Sequence, residues 1–137
     1  KELKVHDYLI STSRYDNENF KNGIIPPESY TPYGILYNHI AVCQAYAETF
    51  MIFMMLANIE CHFVIGTTTS GQYIENQNSL HAWNIVKINK QFVHVDVTFD
   101  NPVPYTIGII DHTYFNVNDE FMKKTHKWNV NHYPNCG

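Results

Sequence analysis

His81-Ala82-Trp83-Asn84-Ile85-Val86-Lys87-Ile88, then Asn89-Lys90, then Gln91-Phe92-Val93-His94-Val95-Asp96-Val97-Thr98-Phe99 is the stretch that decides the fold. Both flanks are rich in β-branched and aromatic residues, and Asn89-Lys90 is a tight turn between them. The stretch therefore reads as two strands of an antiparallel hairpin, His81 to Ile88 and Gln91 to Phe99. A two-residue turn sets Ile88 opposite Gln91, Trp83 opposite Asp96 and His81 opposite Thr98. Side chains alternate with period two. One face thus carries Ala82, Val86, Ile88, Val93, Val95, Val97 and Phe99, and belongs against packed structure. The other carries His81, Trp83 and Asp96. On that face His81 and Asp96 are diagonal neighbours, roughly 7–8 Å apart between backbones, a gap that an imidazole and a carboxylate can close. An odd turn would separate them unless a bulge corrected it.

Upstream of the hairpin, Val42 to Asn58 is apolar on nearly every face, which predicts a buried helix. Met51, Met54 and Met55 belong to that core. Cys43 falls at the start of this helix. There the helix dipole and unpaired N–H groups favour a thiolate and can bind a developing oxyanion. Taken alone, Cys43 reads better as one more small apolar residue of a buried helix. The remaining elements follow from local signals. Lys1 to Ser13 has helical spacing of Leu3, Val5, Tyr8, Leu9 and Thr12. Tyr15 to Pro32 is a loop with turn formers at Asp16-Asn17, Asn22-Gly23 and Pro26-Pro27, and Tyr33 to His39 is a short helical stretch. His62 to Thr68 reads as a strand, followed by a polar, flexible connection over Thr69 to Ser79 with a turn at Ser70-Gly71. Asn101 to His112 is a loop with two prolines. Tyr114 to Val117 reads as an edge strand, and Asn118 as the cap of a helix over Asp119 to Lys124. Helices first and an antiparallel sheet after make an α+β pattern.

The 137 residues suit one domain, 1–137, and 45% apolar with 15% aromatic residues predicts a packed core rather than disorder. Nine basic residues are scattered along a chain of net charge −4, which speaks against a nucleic-acid partner. The longest apolar run, Phe50 to Ala57, is too short to span a membrane. The chain begins at Lys1, inside a helical pattern and without Met, so a piece of a longer protein is expected. Three cysteines are an odd count. A disulfide between Cys61 and Cys136 would close a long loop, worth ~3–5 kcal/mol, and leave Cys43 free; two unrelated reduced thiols is the other reading. Eight histidines occur, but no CxxC or HxxxH ligand spacing, so no metal and no cofactor are expected. Oligomeric state is not legible.

Cys43, His81 and Asp96 occur in the order that a papain-like triad needs. In that reading Cys43 attacks an acyl carbon, His81 moves the proton, and Asp96 orients the ring. A structural His–Asp pair is the plainer alternative. Around them, Trp83 is a candidate shield for the His–Asp bond, and Gln44 and Tyr46 are candidate supporting or substrate-binding groups. Each of these three also reads as packing or polar filler. His94 reads as a packed histidine, and Asp100, before Asn101-Pro102, as a turn former.

Read together, His6-Asp7-Tyr8-Leu9, Tyr15-Asp16, Tyr33-Gly34 through Ala47, His81-Ala82-Trp83-Asn84, His94 through Asp100, Tyr114-Phe115 and the Trp128 to Cys136 tail stand in an order covering nearly the whole chain. That set resembles the transglutaminase-like family of papain-related thiol enzymes, found in many bacterial extracellular and cell-surface proteins. The resemblance implies a Cys-bearing helix packed on an antiparallel sheet, with Cys43 as nucleophile, His81 as base and Asp96 as orienting acid. It further implies acyl transfer through a thioester on protein or peptide substrates, of transglutaminase, peptidase or deamidase type, in an extracellular or cell-surface setting. The family also holds inactive relatives, so a binding or scaffold module is the alternative. Two positions depart from the family: Ala45, where members usually have Gly, and His39, where they have a small residue. His39 is expected to crowd the approach to Cys43.

Overall fold

Asn89 and Lys90 both take positive φ, 50° and 70°, the requirement of a type I′ two-residue turn. That turn sets the expected register, with Ile88 opposite Gln91, Val86 opposite Val93 and Asn84 opposite Val95. In the computed structural model the described residues are 1–16, 22–68, 80–101 and 110–137. The Asn17 half of the first turn, the Ser70-Gly71 connection and the proline loop over 102–109 lie outside them. The chain runs α1 (Glu2–Thr12), β1 (Arg14–Tyr15), β2 (Ile40–Ala41), α2 (Cys43–Leu56), β3 (Cys61–Thr68), β4 (Leu80–Ile88), β5 (Gln91–Val95), β6 (Phe115–Val117), α3 (Asp119–Met122) and β7 (His126–Lys127). Single turns of 3-10 helix sit at Pro27–Tyr30 and Val130–His132, and a π-helical turn at Gly34–Asn38.

Strands β6, β5, β4, β3 and β7, in that order, form one antiparallel sheet, and β1 pairs with β2 in parallel. β4 is central and buried on both faces from His81 to Val86. On one face Val86, Val95 and Val97 pack with Leu9 of α1 and Phe50 and Met54 of α2. On the other, Val64, Trp83 and Ile85 pack with Met122, Cys136 and Trp128 of the C-terminal segment. Asn84 ties α2 to the sheet, donating its amide to the Ala47 carbonyl at 3.0 Å and the His62 carbonyl at 3.2 Å. The α+β architecture is as expected.

Three local expectations change. β5 ends at Val95 rather than Phe99, because Asp96 turns the chain: its carboxylate accepts from the Phe99 N–H at 3.0 Å and its carbonyl from the Asp100 N–H at 3.2 Å. The helix after Asn118 is short, with the Asn118 side chain accepting from the Phe121 N–H at 2.9 Å. Beyond it the tail adds a strand that no local pattern announced, β7, whose Lys127 and His126 pair with Thr67 and Thr68.

The Cys61–Cys136 disulfide is not formed; all three cysteines are free. Cys61 packs with the helix-side cluster and Cys136 with the tail-side cluster, so the sheet lies between them. Burial pushes both thiols up to about 12. Among the described residues no helix is long and apolar enough to cross a membrane.

Candidate active site

Helix α2 starts at Cys43 because Val42, at φ −105° and ψ 176°, is extended and hands its own N–H to the Ser29 carbonyl at 3.0 Å. Val42 offers no side-chain cap, and its carbonyl takes the Ala45 N–H at 3.0 Å, so of the first turn the Cys43 and Gln44 N–H groups remain for another acceptor. Cys43 is half-buried there, on the wall of an open cleft of about 450 Å³. Tyr15, Ile25, Tyr30, Phe63, Ile65 and Leu80 make most of that wall apolar, and His81 lines it beside Cys43.

His81 sits one residue into β4, and the turn at Asp96 swings the carboxylate back toward it. The His81 Nε2–H donates to Asp96 Oδ2 at 2.7 Å, with both side chains buried. Nδ1 is then the ring nitrogen left for the Cys43 sulfur, which lies within hydrogen-bonding reach of the ring. Burial by itself disfavours a charged ring. The Asp96 carboxylate, with a further contribution from Cys43, outweighs it and pushes His81 up to about 10. Burial likewise opposes ionisation of Asp96, but the His81 charge and two ring N–H donors hold its carboxyl well below the usual carboxylate range. The structure thus brings together Cys43, His81 and Asp96, three residues that the sequence order had grouped.

The second donor to Asp96 escaped sequence reading. His126 Nε2–H donates to the same Oδ2 at 2.8 Å and is fully buried. The Thr125 hydroxyl lies 2.7 Å from its Nδ1 and donates there. Thr125-His126-Lys127 carries no motif; only the β7 pairing puts His126 at Asp96.

Trp83 stacks on His81 with ring centroids 5.9 Å apart and meets His126 edge-on at 4.8 Å, so it walls the His–Asp cluster on the tail side. Its indole N–H donates to His94 Nδ1 at 3.0 Å, and the His94 Nε2–H donates to Asp119 at 2.7 Å. His94 is therefore a packed, hydrogen-bonded histidine. Gln44 is exposed on the cleft wall. Tyr46 is not: it is buried, off the cleft, and its hydroxyl accepts from the Asn101 amide at 2.9 Å, so its role is to brace the core. His39 does not crowd Cys43. It adopts a left-handed φ of 60° after the π-helical turn and lines a separate hollow with Ser11 and Arg14. Asp100 does more than make a turn. It is fully buried and accepts from His6 Nε2–H at 2.9 Å and from the Tyr114 N–H at 2.8 Å. Burial raises its carboxyl to about 6.

This arrangement has known counterparts in fold. Solved structures of a "Putative Cysteine Protease" from Cytophaga hutchinsonii and of a TGase superpose with TM-scores of 0.53 and 0.55, at 15% and 12% identity. They take in 71% and 94% of this chain, which spans less than a third of either, 30% and 29%. The helix-plus-antiparallel-sheet core is thus of the transglutaminase-like, papain-like kind. No curated protein matches. The model of the Transglutaminase-like superfamily matches residues 1–97, a span that opens at α1, takes in the Cys43 helix start and closes just past Asp96, and on that match the chain belongs to this superfamily.

Proposed function

We propose that this chain is a thiol enzyme that transfers acyl groups from protein or peptide donors through a thioester on Cys43. The observation that carries the reading is one imidazole shared between two partners: His81 offers Nε2 to the buried Asp96 and its other face to Cys43, in a cleft open to solvent. In this mechanism His81, raised to about 10, already holds the proton on Nδ1, and the Cys43 sulfur paired with it attacks the acyl carbon as thiolate. The C–S bond forms, and the oxyanion that develops lies at the first-turn N–H groups of α2. The C–N bond then breaks, and the imidazolium gives its proton to the departing amine. An incoming amine or water loses a proton to His81, attacks the thioester, and restores the thiolate. Asp96 keeps the ring oriented and stabilises its charged form throughout. The apolar cleft wall suits an acyl donor flanked by apolar side chains.

The test is incubation with a glutamine-containing protein and a labelled primary amine, for wild type and Cys43→Ala. Wild type should incorporate label, release ammonia or generate new chain ends. Those three outcomes separate transfer, deamidation and proteolysis. Cys43→Ala should lose at least about 10⁴-fold in turnover while keeping the wild-type circular dichroism. Equal turnover in a folded Cys43→Ala would sink the reading.

A further inference from the structure

Away from the cleft, His6 and Asp7 of α1 meet His112, which precedes β6. His6 Nδ1 and His112 Nε2 each lie 2.8 Å from the same oxygen of Asp7, Oδ1, and the donor atoms of the three residues lie within 4.8 Å of one another. The other side of His6 is committed. Its Nε2 lies 2.9 Å from Asp100 Oδ2, with both side chains wholly buried. His6 thus has a carboxylate oxygen at each ring nitrogen, Asp7 Oδ1 at 2.8 Å and Asp100 Oδ2 at 2.9 Å, and it shares the Asp7 oxygen with His112.

We propose that His6, Asp7 and His112 bind one divalent transition-metal ion of the zinc class, with Asp100 as the carboxylate that orients the His6 ligand. Two imidazoles and one carboxylate are the donor set of Zn²⁺ and its borderline neighbours rather than of Mg²⁺ or Ca²⁺. A buried carboxylate on the far nitrogen of a ligating histidine is the usual outer support of such sites. The Asp7 and His112 side chains are partly exposed, 32% and 45%, which gives the ion a path in and leaves a coordination position for water. Zn–N and Zn–O bonds of about 2.0–2.2 Å set tetrahedral ligands about 3.3 Å apart, so each 2.8 Å separation opens by about half an ångström, within the freedom of the partly exposed Asp7 and His112 side chains. Binding would staple α1 to the edge of the sheet.

Two other histidine clusters among the described residues fit an ion poorly. His81, Asp96 and His126 are all buried, and His126 accepts the Thr125 hydroxyl on Nδ1, so its Nε2 carries the proton and has no lone pair for an ion. His94 accepts the Trp83 indole N–H on Nδ1, so a metal on Nε2 would require a fully deprotonated ring.

The experiment is calorimetric titration of the full chain with Zn²⁺ near neutral pH, repeated with Co²⁺ and read by absorbance. One ion per chain should bind in the micromolar range or tighter. His112→Ala and Asp7→Asn should each weaken it by at least about ten-fold, and Asp100→Asn by about 10–100-fold. The Co²⁺ spectrum should show visible ligand-field bands without near-ultraviolet sulfur charge transfer, and Cys43→Ser should bind as tightly as wild type. His112 is surface-exposed, so circular dichroism of His112→Ala should match wild type. Millimolar or absent binding would overturn the site and leave a shared proton in its place. Affinity unchanged in His112→Ala and Asp7→Asn, or lost in Cys43→Ser, would overturn it too. None of these outcomes bears on acyl transfer.

Discussion

His81 and His126 converge on a single oxygen: Asp96 Oδ2 accepts from the first at 2.7 Å and from the second at 2.8 Å, while Asp96 Oδ1 accepts from the Phe99 N–H at 3.0 Å. The carboxylate is therefore anchored from the turn, from β4 and from β7 at once. Neither histidine can move without leaving a buried charge under-solvated, which costs about 1–3 kcal/mol or more.

Removing the anchor from β7 should loosen the site without emptying it. His126→Ala is expected to lower stability by about 2 kcal/mol and kcat by about ten-fold, the scale of one hydrogen bond to a charged group, with KM little changed. His126→Gln, which can present an N–H at the same place, should recover part of both. Urea unfolding and steady-state kinetics are the measurements; full activity in His126→Ala would mean that His81 needs no second donor on Asp96.

The pH profile should carry the mark of the His81–Asp96 pair. His81 is raised to about 10 in the folded chain, against an unfolded value of about 6.5. Its contribution to stability is therefore fully present below about 6.5 and is lost as pH climbs toward 10. In the proposed mechanism the same proton is the one delivered to the leaving amine. The alkaline limb of kcat/KM on an amide donor should accordingly fall near 10, and Asp96→Asn should move it down toward 6.5. A wild-type limb already at 6.5 would contradict this.

Thiol chemistry should single out one cysteine. Cys43 faces the open cleft, whereas burial pushes Cys61 and Cys136 up to about 12. Iodoacetamide near neutral pH should label Cys43 alone, read by peptide mass spectrometry, with the other two reacting only after unfolding. Equal labelling of all three in the folded chain would be inconsistent with this packing.

Gly66 pairs with His81 across β3 and β4, and a Cβ there would stand 2.1 Å from the Lys127 carbonyl oxygen and 2.7 Å from the Trp83 ring. The carbonyl belongs to β7 and cannot retreat without breaking the pairing that holds His126. Gly66→Ala should therefore cost about 2 kcal/mol or more in urea unfolding and reduce activity as well. An unaffected Gly66→Ala would show that β7 can shift without consequence.

The hairpin register was legible because it rests on neighbours. Turn parity at Asn89-Lys90 and alternation along two short strands are enough to fix the pairing from Ile88–Gln91 to Asn84–Val95, while the turn beyond Val95 is what carries the Asp96 carboxylate to His81. The buried helix behind Cys43 was legible for the same reason: a long apolar run is a local property. Where the chain crosses itself, local signals are silent. That the tail returns as β7 beside β3, that it delivers His126 to Asp96, and that a sheet separates Cys61 from Cys136 depend on which distant surfaces bury each other. Tyr46 and Asp100 took their partners, Asn101 and His6, in the same way. Residue order determined which groups could react. Packing of remote segments decided which of them meet, because burial free energy is gained only when the whole chain has closed on its core.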